Sequence, residues 1–447
     1  MGAQNPRNVS TSLQRIADLA REMPERSFMS IHHVIDLEHL REAYRRTRKD
    51  GATGVDQATA EDYAANLEGN LQSLCDRLKL GTYYAPPVRR VHIPKGDGSK
   101  TRPIGIPTFE DKVLQRAVAM VLEAIYEQDF MDCSYGFRPG RSAHQALDAI
   151  FQSMMQTKGG YVIELDIEKF FERLDHGHLR AFLDRRVRDG VLRRAIDKWL
   201  KAGVLEEGQL THPRQGTPQG GVISPILANI YLHEVLDRWF QEEIAPRLQS
   251  RSFMVRYADD AILVFSSEAD ARRVFEVLSK RFARFGLTLH PDKTRLVRFT
   301  CPPYLREQRL PQNQGGPGTF DFLGFTHYWG KSRKGRWVVR KKTIRDRLSR
   351  FLRRIADWCR QNRHTKVAWQ HAHLVRVIRG HDAYYAVTGN ERQLKRLRHL
   401  AQRTWHKWLS RRSESTPMSW ACFHRLLARY PLPPVRVVHS RYHTANP

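Results

Sequence analysis

The chain has little cysteine chemistry to offer. Its five cysteines (Cys75, Cys133, Cys301, Cys359 and Cys422) are scattered through 447 residues without a Cys-x-x-Cys pair. That argues against a zinc site and a disulfide framework, and it fits a reducing compartment. Long apolar runs are also missing: none approaches membrane-spanning length, and Ser224-Pro225 interrupts the best of them. The N-terminus, Met-Gly-Ala-Gln-Asn-Pro, has no apolar signal core, and Pro6 breaks the myristoylation pattern. No internal repeat and no long low-complexity tract is present. The expected location is the cytoplasm, with no membrane partner.

Acidic residues are the scarce charge. Lys and Arg number 75 against 47 Asp and Glu, giving a formal net charge of +28 and a pI near 10.3. Such a field favours a polyanion: nucleic acid first, an anionic membrane surface second. In a bacterial cell the nucleoid then joins the cytoplasm as an expected location. With 41% hydrophobic residues the chain can build the cores of two or three domains. The charge is uneven, because Lys331 to Arg412 holds 25 Lys and Arg but only 4 Asp and Glu. Aromatics are interleaved there (Trp337, Trp358, Trp369, Tyr384, Tyr385, Trp405, Trp408), and helical periodicity assigns several of them to a core.

Hydrophobic periodicity and turn residues predict the elements. Helices are expected near 13–22, over 36–48, over 60–80 up to Gly81, over 109–126 and over 182–199. A basic hairpin is expected over 88–106, with Gly96-Asp97-Gly98 as its turn, and a strand over 161–166 ending in Asp166. Ser224-Pro225 reads as an N-cap and first-turn pair for a helix with Leu232, Val235, Leu236 and Trp239 on one face. Gly315 to Gly318 reads as a loop before a strand over 320–328. Three amphipathic helices follow, around 344–355, 370–386 and 394–408. The last 35 or so residues are rich in proline and give no clear pattern.

The most informative tetrapeptide is Tyr257-Ala258-Asp259-Asp260, which separates the apolar runs Phe253-Met254-Val255 and Ala261 to Phe265. Two adjacent carboxylates at a hairpin turn repel and raise each other's pKa unless a cation neutralises them. They read as a divalent-metal site for phosphoryl transfer or as a polar surface turn, and four residues do not choose between the two. Asp166 also ends an apolar strand, and a two-metal site needs carboxylates from at least two strands. Between these acids lies Gly216-Thr217-Pro218-Gln219-Gly220-Gly221, a loop whose backbone can approach a ligand closely and which leads into a helix N-terminus suited to anions.

Taken in order, these pieces closely resemble the reverse transcriptase/maturase encoded by bacterial group II introns. The resemblance runs through Ile93-Pro94-Lys95, Arg102 to Pro107, Tyr135 to Ser142, Asp166 to Phe171, Gly216 to Asn229, Tyr257 to Asp260, His290 to Thr294 and Phe322-Leu323-Gly324-Phe325. It implies an α+β right-hand polymerase with fingers, palm and a basic α-helical thumb or maturase domain. The implied division is an N-terminal extension with the start of the fingers over 1–85, fingers over 86–160, palm over 161–335, thumb over 336–412 and a tail over 413–447. Asp166, Asp259 and Asp260 match catalytic ligands of two Mg²⁺ ions, with the Ile167 carbonyl assisting. Lys95, Arg102, Phe171, Gln219 and Lys293 match contacts to the incoming dNTP. Phe171 would exclude a 2′-hydroxyl and Lys293 would serve as general acid for pyrophosphate; a core Phe and a surface Lys are the plain alternatives. Phe322, Leu323, Gly324 and Phe325 match the primer grip.

The implied partners are group II intron RNA, an RNA template with a DNA primer, and dNTPs; monomer and dimer both stay open. Many family members add an endonuclease with cysteine pairs, so second-strand cleavage is not expected here, and the primer would come from elsewhere. The expected function is RNA-directed DNA polymerisation with assistance to splicing and retromobility. The alternatives are a domesticated enzyme of defence or repair, and a mainly RNA-binding splicing factor.

Overall fold

The computed structural model describes residues 7–95, 100–212, 215–217, 220–302, 318–332, 334–413 and 416–440. Of the anticipated features, the 96–99 turn, Gln219 and the loop residues Gly315, Gly316 and Pro317 lie outside these residues, as does the side chain of Lys95. The chain forms two compact units that are discontinuous in sequence: Met1–Ala146 with Ile163–Leu296, and Leu147–Val162 with Val297–Pro447.

The first unit is built around the helix Phe109–Tyr126. Thirteen of its 18 residues are buried, so it has no solvent face of its own and acts as a core helix. Thr108 caps it by accepting from Asp111 N. The basic hairpin pairs Val88–Lys95 with Lys100–Ile106, register Ile93 to Arg102, as the sequence implies. A second sheet has the order Ser252–Tyr257, Asp260–Phe265, Tyr161–Leu165, Arg295–Arg298. Its first two strands form the anticipated antiparallel hairpin, with Tyr257 opposite Asp260.

Three helix expectations are corrected in this unit. The 60–80 segment is two helices, Ala60–Ala64 and Leu67–Leu80, because Asn66 leaves the helical region at φ −133°; Gly81 does close the second at φ 76°. The 182–199 segment is also split, into His176–Asp184 and Gly190–Lys201. Asp189 makes the break: its buried carboxylate accepts from Val191 N and Leu192 N and also from Ile31 N and His32 N. Ser224 starts the helix Ser224–Leu232 but does not cap it, since its hydroxyl pairs with Thr217 Oγ1 at 3.0 Å. Beyond it, wide turns over His233–Asp237 and Trp239–Ile244 continue the rod and bury Val235, Leu236 and Trp239.

In the second unit, the expected 320–328 strand is a hairpin, Phe320–Phe322 with Phe325–Lys331. The chain reverses at Leu323 (φ 49°) and Gly324 (φ 84°), the left-handed pair that a two-residue turn demands. A third strand, Trp337–Thr343, pairs with Phe325–Lys331. The three basic helices are Arg345–Gln361, Val367–Tyr385 and Glu391–Ser410. Trp405 lies fully buried in their shared core. The last segment contains a helix, Trp420–Arg429, whose Phe423 enters that same core along with Leu432.

One buried acid in the core helix gives the first unit a pH dependence. Asp111 accepts a hydrogen bond from the Tyr83 hydroxyl, which in turn accepts from Trp199 Nε1 at 2.8 Å. Burial pushes the Asp111 carboxyl up to about 7. A raised carboxyl pKa means the folded state prefers the protonated form, so this contribution to stability is complete below the unfolded value and is lost as pH rises through about 7. The melting temperature should therefore fall between pH 6 and pH 8.5, and Asp111→Asn should flatten that fall. Parallel thermal melts of the two proteins check it; equal pH slopes would remove Asp111 as the cause.

Candidate active site

The Tyr257 to Asp260 turn is held by the tertiary structure against its local preference. Two-residue hairpin loops require positive φ and favour Asn or Gly, yet Ala258 sits at φ 57°. Asp259 is the second turn residue and Asp260 the first of the following strand. The left-handed Ala258 is fixed from two sides. Arg256 Nη1 donates to Ala258 O at 3.0 Å. On the other side Gly136 packs so closely that an added Cβ would lie 2.2 Å from Ala258 N.

Arg256 is the hub. Its guanidinium is fully buried, as is its partner Asp237. Nε and Nη2 donate to the two Asp237 oxygens at 2.7 and 2.5 Å, Nη1 also donates to Asn229 Oδ1 at 3.0 Å, and Nη2 to Ser134 Oγ at 2.8 Å. Burial works against the charge, but Asp237 more than offsets it, and the pKa is raised. Asn229 passes the constraint on, its Nδ2 donating to Gly136 O at 2.8 Å. Main-chain bonds complete the clamp: Tyr135 N donates to Arg256 O and Arg256 N to Cys133 O.

The second strand end brings Asp166 to the same sheet edge, on the strand next to Asp260–Phe265. Asp166 O accepts from His290 N at 2.8 Å and from Thr294 Oγ1 at 3.2 Å. Lys293 Nζ lies 2.9 Å from Asp166 Oδ2. Both groups are part-exposed, so the pair is worth under about 1 kcal/mol and another cation can displace the ammonium. Asp259 is affected too: burial raises its pKa, and the charge of Asp166 adds to the rise, while Arg102 opposes it.

Gly216 and Gly220 bind the glycine-rich loop to its surroundings. Gly216 (φ 88°) has no room for a side chain, since a Cβ would meet Glu172 O and Phe171 O at 2.7 and 2.8 Å. Thr217 N donates to Phe171 O at 2.8 Å. Gly220 (φ 119°) lies against Ile104 and Gly105 of the basic hairpin, close to exposed Arg102. Phe170 is buried, whereas Phe171 packs edge-on against it at 5.3 Å and stays half-buried. The buried residue is the plain core Phe.

These carboxylates, the loop and most of the basic hairpin fall inside the stretch, residues 93–327, that matches the family model described as reverse transcriptase (RNA-dependent DNA polymerase). The chain belongs to that reverse transcriptase family. It is 35% identical over 283 residues to the group II intron-encoded protein LtrA of Lactococcus lactis subsp. cremoris, covering 60% of this chain and 46% of that protein. It is 37% identical over 274 residues to protein YkfC of Escherichia coli K12, covering 54% of this chain and 71% of that one. An uncharacterized 91 kDa protein in the cob intron of Schizosaccharomyces pombe matches 72% of this chain at 28% identity, with 46% of its own length covered. The chain thus spans about half the length of LtrA. As a member of this family it has the mixed α and β build of the right-hand polymerase fold.

In this member of the family, among the described residues, no group of three or more His, Cys, Asp or Glu is gathered tightly enough to hold a metal ion. Asp166 and Asp259 are instead presented from neighbouring strands and sense each other electrostatically. Hard carboxylate oxygens of this kind suit Mg²⁺, and a cation would offset the charge that Asp166 sets against the buried Asp259. Ile167 is buried and bridges to Leu289. In the second unit, Leu323 O of the 322–325 turn accepts from the Tyr384 hydroxyl at 2.8 Å, and Phe325 packs on the rings of Tyr384 and Tyr385.

Sequence reading missed Arg256, Asp237, Asn229 and Gly136 as parts of this site. One signal was available: a charged residue inside an otherwise buried strand is almost always paired. Breaking that pair leaves a buried carboxylate uncompensated. Arg256→Met is expected to destabilise the protein by about 3–5 kcal/mol, and adding Asp237→Leu should recover most of it. Urea unfolding of the singles and the double reads this directly; independent, additive losses would mean that the two groups do not form one unit.

Proposed function

We propose that this chain is an RNA-directed DNA polymerase of the group II intron type that also binds intron RNA to assist splicing and support retromobility. The observation that carries it is the presentation of Asp166 and Asp259 from adjacent strand ends, electrostatically coupled, beside a loop and basic hairpin of the matched family region. The printed name of the Lactococcus relative, a group II intron-encoded protein, supports the intron partner. The basic helices from Arg345 to Ser410 support an RNA-gripping thumb, the 322–325 turn a primer grip, and the preceding regions fingers and palm.

In this reading Asp166, Asp259, Asp260 and the Ile167 carbonyl hold two Mg²⁺ ions. Bound there, the ions would lower the pKa of the primer 3′-hydroxyl and stabilise the leaving pyrophosphate. Arg102 and Lys95 orient the triphosphate, with Gln219 near the nucleotide. Phe171 lies under the sugar, where a half-buried ring would crowd a 2′-hydroxyl. Lys293, already beside Asp166, is placed to give a proton to pyrophosphate. Phosphate contacts supply most of the affinity for the template–primer and intron RNA. The cytoplasm, where both RNA and dNTPs are available, is the proposed location; among the described residues no helix is long and apolar enough to cross a membrane.

Primer extension on an RNA template should require Mg²⁺, and Asp259→Ala should lower it by at least about a hundredfold. An inactive wild type, or an unaffected variant, would refute the polymerase. Raising salt from 50 to 200 mM should weaken template–primer binding by at least about tenfold. A flat salt titration would argue against phosphate contacts as the main source of affinity.

A further inference from the structure

The proposed thumb helices border a cavity whose lining includes none of the residues proposed to bind metal or dNTP. It lies between Arg345–Gln361 and Val367–Tyr385 and has a volume of about 480 Å³, a usual size for a ligand site. One wall is a stack of flat rings. Trp358 and His373 lie face to face, centroids 3.9 Å apart and 3° between planes. Trp369, 52% exposed, extends the stack 5.4 Å from Trp358. Burial and the nearby Arg376 lower the His373 pKa, and Arg376 Nη2 lies 3.2 Å from His373 Nδ1. Both effects disfavour the charged form of the ring that stacks on the Trp358 indole.

The cavity is also kept open. Gly380 lines it in the middle of a helix, yet a Cβ there would meet nothing within 4 Å. Glycine is a poor helix former, and neither a positive φ nor a close approach calls for it here. Its smallness leaves room for something else. Arg354 reaches the same space, and its helix carries six arginines against two aspartates. A flat aromatic group attached to a polyanion fits both the rings and the charge.

We infer that this cavity receives an unpaired nucleobase of bound RNA, stacked against the Trp358, His373 and Trp369 array while arginines of the Arg345–Gln361 helix take the flanking phosphates. The inference rests on the reading of these helices as an RNA-binding surface. A base inside a duplex cannot reach such a site, so bulges and loops are what it would select.

The test uses the full chain and two RNA hairpins, one with a single bulged 2-aminopurine and one fully paired around the same residue. The bulged hairpin should bind about tenfold more tightly, the scale of one base stacking on aromatic side chains, and its fluorescence should change on binding. Gly380→Leu should erase the preference and the fluorescence change, still bind the paired hairpin, and melt no lower than wild type because Leu is the better helix former. Trp369→Ala, at an exposed position, should reduce the preference without touching the fold. Equal binding of the two hairpins by wild type, or a preference that survives Gly380→Leu, overturns the cavity while leaving RNA binding standing. Binding of neither hairpin would overturn the RNA-binding reading and the cavity together.

Discussion

The buried pair of Arg256 and Asp237 is the constraint on which the proposed active site depends. A guanidinium removed from water is tolerable only when every donor direction is matched, and here Asp237, Asn229, Ser134 and Ala258 O supply the acceptors. Because one of these acceptors is the carbonyl of the turn itself, the charge network and the turn conformation cannot be changed separately. The turn then sets where Asp259 points. Replacing the pair with apolar side chains could cost little stability, but it would release the one side-chain donor that holds a left-handed alanine in place.

The same logic recurs around the site, with backbone taking the role of the guanidinium. Gly136 presses on Ala258, Gly216 on the carbonyls of Phe171 and Glu172, and Gly220 on Gly105. Each glycine allows a contact that a Cβ would forbid. Together they tie the acidic hairpin, the half-buried Phe171 and the basic hairpin into one body. Two of the groups proposed to meet the triphosphate are by contrast exposed, Lys293 and Arg102, and Lys293 touches Asp166 across a pair too solvated to be worth much. Close-packed support beneath exposed charges suits the proposed exchange of a highly charged substrate at every step.

Much of the architecture was legible where local signals agree. The long apolar helix over 109–126, the strands of the 88–106 hairpin and the apolar runs around Asp259 and Asp260 were read correctly because local period and residue type point the same way. The misreadings fall where a distant residue overrides the local pattern. Asp189 breaks a continuous helical periodicity because its carboxylate also serves the backbone of residues 31 and 32. Ser224 has the right identity for a cap but spends its hydroxyl on Thr217. The strand Trp337–Thr343 is basic and short of alternating apolar residues, and it exists because Phe325–Lys331 offers it an edge.

The sequence by itself determined the family, the acidic residues and the surplus of positive charge, because motif order and composition are properties of the chain. The tertiary structure decided which groups act together. Asp166 and Asp259 are 93 positions apart in the sequence, and only the pairing of their strands makes one alter the titration of the other. Arg256 drew no notice in the sequence, and only the fold surrounds it with acceptors. The ring stack beside Gly380 likewise needs two helices to exist. Pairwise proximity between distant residues arises from packing, and no local pattern carries it.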